Sequence, residues 1–216
     1  MPKIVDWDER RDEILSATWR VIARDGITGA TIRAIAKEAN CSRGILGHYF
    51  DDKADILGSA LVHSHRRVGA RMAAAAAGLT GLAALRAVML EALPLDNRRD
   101  LEAQIEISFW GRALGNRALR DLQHTEFDRL CDRLRRHLQE AADLGELADG
   151  YDLGLATHQL VALIDGLSAE RVLYQDRVTV QRQVEMLDLL LRSFRGGALA
   201  AGTGESASAE RGGPLA

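Results

Sequence analysis

Apolar residues along the chain recur at spacings of three and four, and no run alternates apolar with polar as a half-buried strand would. The pattern predicts an all-α protein. Its first helix covers about residues 8–25, where Ile14, Ala17 and Val21, flanked by Leu15, Trp19 and Ile22, form a broad apolar stripe that Gly26 ends. Thr31 reads as the N-cap of a second helix whose Ile32, Ile35, Ala36 and Ala39 share a face, and Asn40 stands where a left-handed residue is wanted. Ser42 caps a third helix, which is brief because Asp51 or Asp52 already caps a fourth over residues 53–77. Two short helices, a tight turn and a new helix start within one such stretch have helix-turn-helix spacing. Further helices are expected over residues 82–93, 97–114, 116–143, 152–175 and 178–195, with Pro94 the one proline away from the chain ends.

The third helix is unusual in holding two glycines, each costing about 1 kcal/mol relative to alanine. On helical geometry Leu46 and Phe50 fall together and point at the second helix, while Arg43, Gly44, Gly47 and His48 occupy another face. In a helix-turn-helix that face enters the major groove, where glycines let the backbone approach phosphates and base edges. Arg43 can bond guanine O6 and N7 or hold a phosphate, and Lys53, just past an aspartate cap, can meet phosphate at the start of the fourth helix. Between residues 20 and 50, Arg20, Arg24, Arg33, Lys37 and Arg43 outnumber Asp25 and Glu38. That surplus is local, since the whole chain carries a formal charge of −3, which argues against indiscriminate coating of nucleic acid.

The last two helices differ from the others. Leu153, Ala156, Leu160, Leu163 and Leu167 are joined by Val161 and Ile164, and Val180, Val184, Leu187, Leu191 and Phe194 by Met186 and Leu190, so apolar residues cover more than one face. Such helices are buried on more than one side, one against the chain's own core and another against a partner. From Gly196 onward the sequence is rich in glycine, alanine and serine without periodicity, and a disordered tail is expected over 196–216. Cys41 and Cys131 are too few for a disulfide framework or a thiolate zinc site and read as small packed residues. No apolar run suits a signal peptide or a membrane span, so a cytoplasmic location with no membrane contact is expected.

The segment "GITGATIRAIAKEANCSRGILGHYFDDKADIL" resembles the N-terminal domain of the TetR family of repressors, and "GILGHYFDDK" is particularly similar to the BetI type, the choline-responsive regulators of glycine betaine synthesis. The resemblance implies an N-terminal helix-turn-helix domain over residues 1–53 and a helical ligand-sensing and dimerising domain over 54–195. It implies about nine helices in all, with a homodimer through the last two. It implies DNA contacts by Thr31 and Arg33 in the second helix, by Arg43, Gly44, Gly47, His48 and Tyr49 in the third, and by Lys53. The partners implied are a palindromic double-stranded operator and a small-molecule inducer, a quaternary ammonium or other cationic compound, with no cofactor. Gly47 stands where many members carry tyrosine, so base readout by that side chain is absent. The fourth helix is the expected lever between the two parts.

For the inducer, Glu102, Glu106 and Trp110 lie along one line of a helix, able to hold a cation by charge and ring face, while Phe109 on the neighbouring line reads as core. Asp165 interrupts an apolar run, either as a ligand carboxylate or as a structural residue, since an "I-D-G-L" segment recurs in the family's dimer helix. Ser168 follows it where the BetI type usually has tryptophan. Tyr151 and Tyr174, at the two ends of one helix, and Phe127, which also reads as core, are the remaining aromatic candidates. His63 and His65 point to different sides of the fourth helix, which disfavours a shared metal; His124, His137 and His158 read as surface residues. "GLSAE" does not fit a nucleophile elbow and no H-E-x-x-H occurs, so catalytic chemistry has no foothold. A constitutive DNA-binding protein whose C-terminal part only dimerises is the alternative.

Overall fold

Capping residues fix where the short helices begin. Thr31 Oγ1 accepts from the Ala34 amide at 3.1 Å, Ser42 Oγ from Ile45 at 3.2 Å, and Asp52 Oδ1 from Asp55 at 2.8 Å. Each bond satisfies an amide that the first helical turn would leave without an acceptor. In the computed structural model, which describes residues 7–175 and 177–195, these caps open α2 (Ile32–Glu38), α3 (Arg43–Tyr49) and α4 (Lys53–Ala76). They follow α1 (Trp7–Gly29), which is interrupted at Gly26, where φ is 70° and ψ 170°. The expected stop at Gly26 is thus a break followed by one further turn. Asn40, with φ 49°, makes the left-handed residue between α2 and α3.

The chain continues through α5 (Gly81–Ala92), α6 (Asn97–Ala113), α7 (Arg117–Asp143), α8 (Leu153–Leu173) and α9 (Val180–Arg195), so the described residues form nine helices and no strand. The tail expected from residue 196 lies outside the described residues.

Two apolar cores organise the molecule. One is built from α5, α7, α8, α9 and the C-terminal part of α4, and includes Leu85, Met89, Leu134, Leu160, Leu187 and Phe194. The other centres on α1–α3 but does not end with them: Ile56, Leu57, Ala60 and Leu61 of α4, Ile105, Phe109 and Ala113 of α6, and Leu119 of α7 complete it. Leu46 and Phe50 fill it from the α3 side, as their spacing predicts. The indole N–H of Trp19 donates to the Ala60 carbonyl at 2.9 Å, tying α1 to α4 across this core.

Candidate nucleic-acid interface and internal cavity

The exposed side of α2 and α3 presents Thr31, Arg33, Arg43, Gly44, Gly47 and His48 to solvent, with Lys53 half-buried at the start of α4. Around Gly47 an added Cβ would meet nothing within 4 Å, and at Gly44 only the Ser42 hydroxyl at 3.7 Å. The two glycines therefore relieve no crowding inside the protein; what they leave is a bare, closely approachable stretch of helix. Tyr49 is half-buried and stacks on Trp7, with ring centroids 4.2 Å apart.

The local surplus of positive charge is smaller than a count suggests. Arg20 pairs with Glu38 at 2.7 Å, and Arg24 pairs with Glu38 and Asp25, each at 3.0 Å. Among the described residues Arg33, Lys37 and Arg43 have no ion pair and remain available to an outside anion. Burial pushes the Lys53 amine below its usual pKa, and the nearby Arg112 charge adds to the shift.

Away from this face, α4, α6, α7 and α8 line a half-open cavity of about 660 Å³, within the roughly 300–1,000 Å³ usual for small-molecule sites. Much of its wall is apolar, with Met72, Ala103, Leu130, Val161 and Ile164. At its wall His65 of α4 joins Glu106 of α6 (Nε2 to Oε2, 2.7 Å) and Glu126 of α7 (Nδ1 to Oε2, 3.3 Å). Burial opposes a charge on His65, but the two carboxylates outweigh it and raise its pKa to about 9. The Trp110 indole N–H donates to the other Glu106 oxygen at 3.0 Å, which orients the ring. Glu102 is held by Arg71, whose guanidinium also reaches Glu91 at 3.0 Å.

Glu106, Trp110, Phe127 and Asp165 all line this cavity. Phe127 is 41% exposed, so its reading as core is corrected: on α7 its position turns it to the cavity rim rather than inward. Tyr151 and Tyr174 lie elsewhere. Tyr151 packs edge-on against Phe194, centroids 5.2 Å apart, and its hydroxyl donates to Gln159 at 3.4 Å; Tyr174 is exposed at the end of α8. His65 is the polar centre of the wall and was not singled out by its sequence context; its signal, a histidine among apolar neighbours on a long helix, becomes specific only when α6 and α7 are placed. His63 faces away, toward Asp12 at 3.3 Å. His124, expected at the surface, is exposed there, at the cavity edge. Among the described residues no group of three or more His, Cys, Asp or Glu is arranged to hold a metal, and no helix is long and apolar enough to cross a membrane.

Helix α6 faces both regions. Its Glu102, Glu106 and Trp110 row lines the cavity, while its Ile105, Phe109 and Ala113 row packs into the core that supports α3. An all-α chain with a capped helix-turn-helix, an open glycine-bearing recognition helix and a cavity joined to it through shared packing defines a helix-turn-helix transcriptional regulator. Residues 14–60 match the family of bacterial regulatory proteins of the tetR type, and residues 81–196 match the C-terminal domain of BetI-type transcriptional repressors. The chain belongs to the TetR family and carries a C-terminal region of the BetI type.

Among its relatives, the transcriptional regulator PksA of Bacillus subtilis is 31% identical over 84% of this chain and 88% of its own length. The regulator BetI of Burkholderia thailandensis is 32% identical over 88% of this chain and 98% of its own. A transcriptional regulator of Saccharomonospora viridis, crystallised in complex with choline, is similar in fold, with a TM-score of 0.78 and 25% identity over 86% of this chain and 96% of that one.

Proposed function

We propose that this regulator is a homodimeric repressor released from a palindromic operator by an organic cation held in the α4–α6–α7–α8 cavity. The observation that carries the reading is the double role of α6: a ligand drawn to Glu106 and Trp110 acts on the helix whose opposite row is part of the core behind α3. This adds α6 to α4 as a lever.

Cation chemistry suits the wall. Glu106 offers a carboxylate with two oxygens, only part of whose acceptor capacity His65 and Trp110 use, and the Trp110 ring face attracts positive charge. A bound cation competes with His65 for Glu106 and so loosens α4 from α6. The choline complex of the S. viridis relative supports a cationic ligand class.

Dimerisation through α8 and α9 accounts for apolar surface that this chain leaves open: Leu155, Leu173, Val180, Met186 and Leu189, the last 63% exposed. Two copies would set their α3 helices about 34–36 Å apart for successive major grooves, and a ligand favouring another spacing lowers DNA affinity. In the dimer, Thr31, Arg33, Arg43, Gly44, Gly47, His48, Tyr49 and Lys53 form the DNA-facing surface of each copy. The chain then divides at residue 53 between reading and sensing parts.

An electrophoretic shift of the DNA upstream of the protein's own gene tests the reading. Retention at moderate salt in preference to random sequence, with release by a small organic cation, is expected; equal affinity for both DNAs contradicts it.

A further inference from the structure

The cavity holds two charges of opposite sign that no ion pair among the described residues neutralises. Asp165, on α8, makes no hydrogen bond or ion pair among the described residues. Burial pushes its carboxyl up to about 6, the Glu106 charge adds to the rise, and no cation opposes it. Arg133, on α7, has one polar contact, from its Nη1 to the Gly69 carbonyl at 3.3 Å. Burial lowers its pKa, Arg136 lowers it further, and no carboxylate opposes the shift.

The other charged groups of the wall are matched within the protein. Glu102 has Arg71, Glu106 has His65, Glu126 has His65 and Arg129, and Arg99 has Asp96 and Glu91. Arg66 is exposed to water. Asp165 and Arg133 are thus half-buried charges carrying a desolvation cost without a compensating partner, and no ion pair joins them to each other although α7 and α8 pack together.

We infer that the ligand of this cavity is a zwitterion, its cationic centre placed between Asp165 and the Glu106–Trp110 pair that line the same cavity and its anionic group at Arg133, with an apolar body against Met72, Leu130 and Val161. The inference rests on the sensing role proposed above and narrows it. A ligand with only a positive charge leaves Arg133 desolvated and unmatched; one with only a negative charge does the same to Asp165. A guanidinium can grip a carboxylate or phosphate through two parallel bonds, so the anionic end gains orientation as well as charge.

The test uses three probes with the same alkyl chain, octyltrimethylammonium, nonanoate and N-octyl-N,N-dimethylglycine, titrated calorimetrically into the full-length protein near neutral pH. The zwitterion is expected to bind about tenfold tighter than either singly charged probe, the lower end of what a charge-assisted hydrogen bond contributes. Arg133→Gln is expected to reduce zwitterion affinity to that of the cation while leaving the cation unaffected, and Arg133→Lys to retain much of the difference. Asp165→Asn should reduce zwitterion affinity to that of nonanoate. Unfolding temperatures of the variants, expected near that of the parent, separate these effects from loss of fold. If the cation binds as tightly as the zwitterion, or Arg133→Gln leaves the zwitterion unaffected, the inference fails and the sensing cavity stands. If none of the three binds, both fail.

Discussion

His65 Nε2 lies 2.7 Å from Glu106 Oε2, linking the helix that begins at Lys53 to the helix that carries Trp110. Glu126 closes the other side of the imidazole, so one ring holds α4, α6 and α7 together at the cavity wall. Replacing it leaves two carboxylates facing one another with no positive charge between them. His65→Gln is expected to cost about 1–3 kcal/mol of stability, read from urea unfolding at neutral pH; an unchanged midpoint would mean the three groups are already well solvated.

The same ring makes stability depend on pH. Its folded pKa of about 9 is above the unfolded value of about 6.5. The stabilisation it contributes is therefore complete below the unfolded value, declines as pH rises between the two, and is lost above the folded value. Unfolding of the parent and of His65→Gln at acid and alkaline ends of that window checks this: the difference between them should shrink as the solution becomes alkaline.

Asp165 gives ligand binding the opposite dependence. With its carboxyl at about 6, it is protonated in part of the free protein in mild acid, and a cation must displace that proton to bind. Affinity for a cationic ligand should rise about tenfold from one pH unit below that value to well above it, then level off. Asp165→Asn should remove the rise, as calorimetry across that range would reveal.

At Gly47 the open space predicts a variant that folds but reads DNA poorly. A Cβ at position 47 meets nothing within 4 Å and the position is exposed, so Gly47→Leu should change the melting temperature little. The new side chain holds α3 away from the groove, and specific operator binding should fall at least tenfold, as a fluorescence anisotropy titration would record. Undiminished affinity would mean α3 approaches DNA by another face.

Lys53 is expected to act on phosphate rather than on a base. Lys53→Ala should weaken operator and random DNA alike and reduce the slope of log affinity against log salt by about 1 per protomer. A loss confined to one base pair of the operator would assign it a reading role instead.

The helix-turn-helix was legible because its determinants are local. Thr31, Ser42 and Asp52 cap amides within three residues of themselves, and Asn40 turns the chain by its own φ. The spacing of Leu46 and Phe50 likewise foretold their burial. The cavity was legible only in part. Periodicity put Glu102, Glu106 and Trp110 on one line, but could not tell that Arg71 of α4 occupies Glu102 while His65, 41 residues before Glu106, occupies that carboxylate. The charge balance of α1–α3 failed for the same reason, since the pairing of Arg20 and Arg24 with Glu38 depends on how α1 crosses α2. Tyr151 and Tyr174 had the chemistry of ligand aromatics, but the ends of α8 lie away from the cavity that its middle lines.

In the proposed mechanism cavity and recognition helix are coupled through α6 and α4, and coupling between two sites is reciprocal. The direct measurement is the affinity of one cavity ligand for the free dimer and for the dimer saturated with operator, by calorimetry in the same buffer. Binding to the operator complex is expected to be weaker by roughly 5-fold to 150-fold, the range of a typical coupling free energy. Equal affinity in the two states would contradict it.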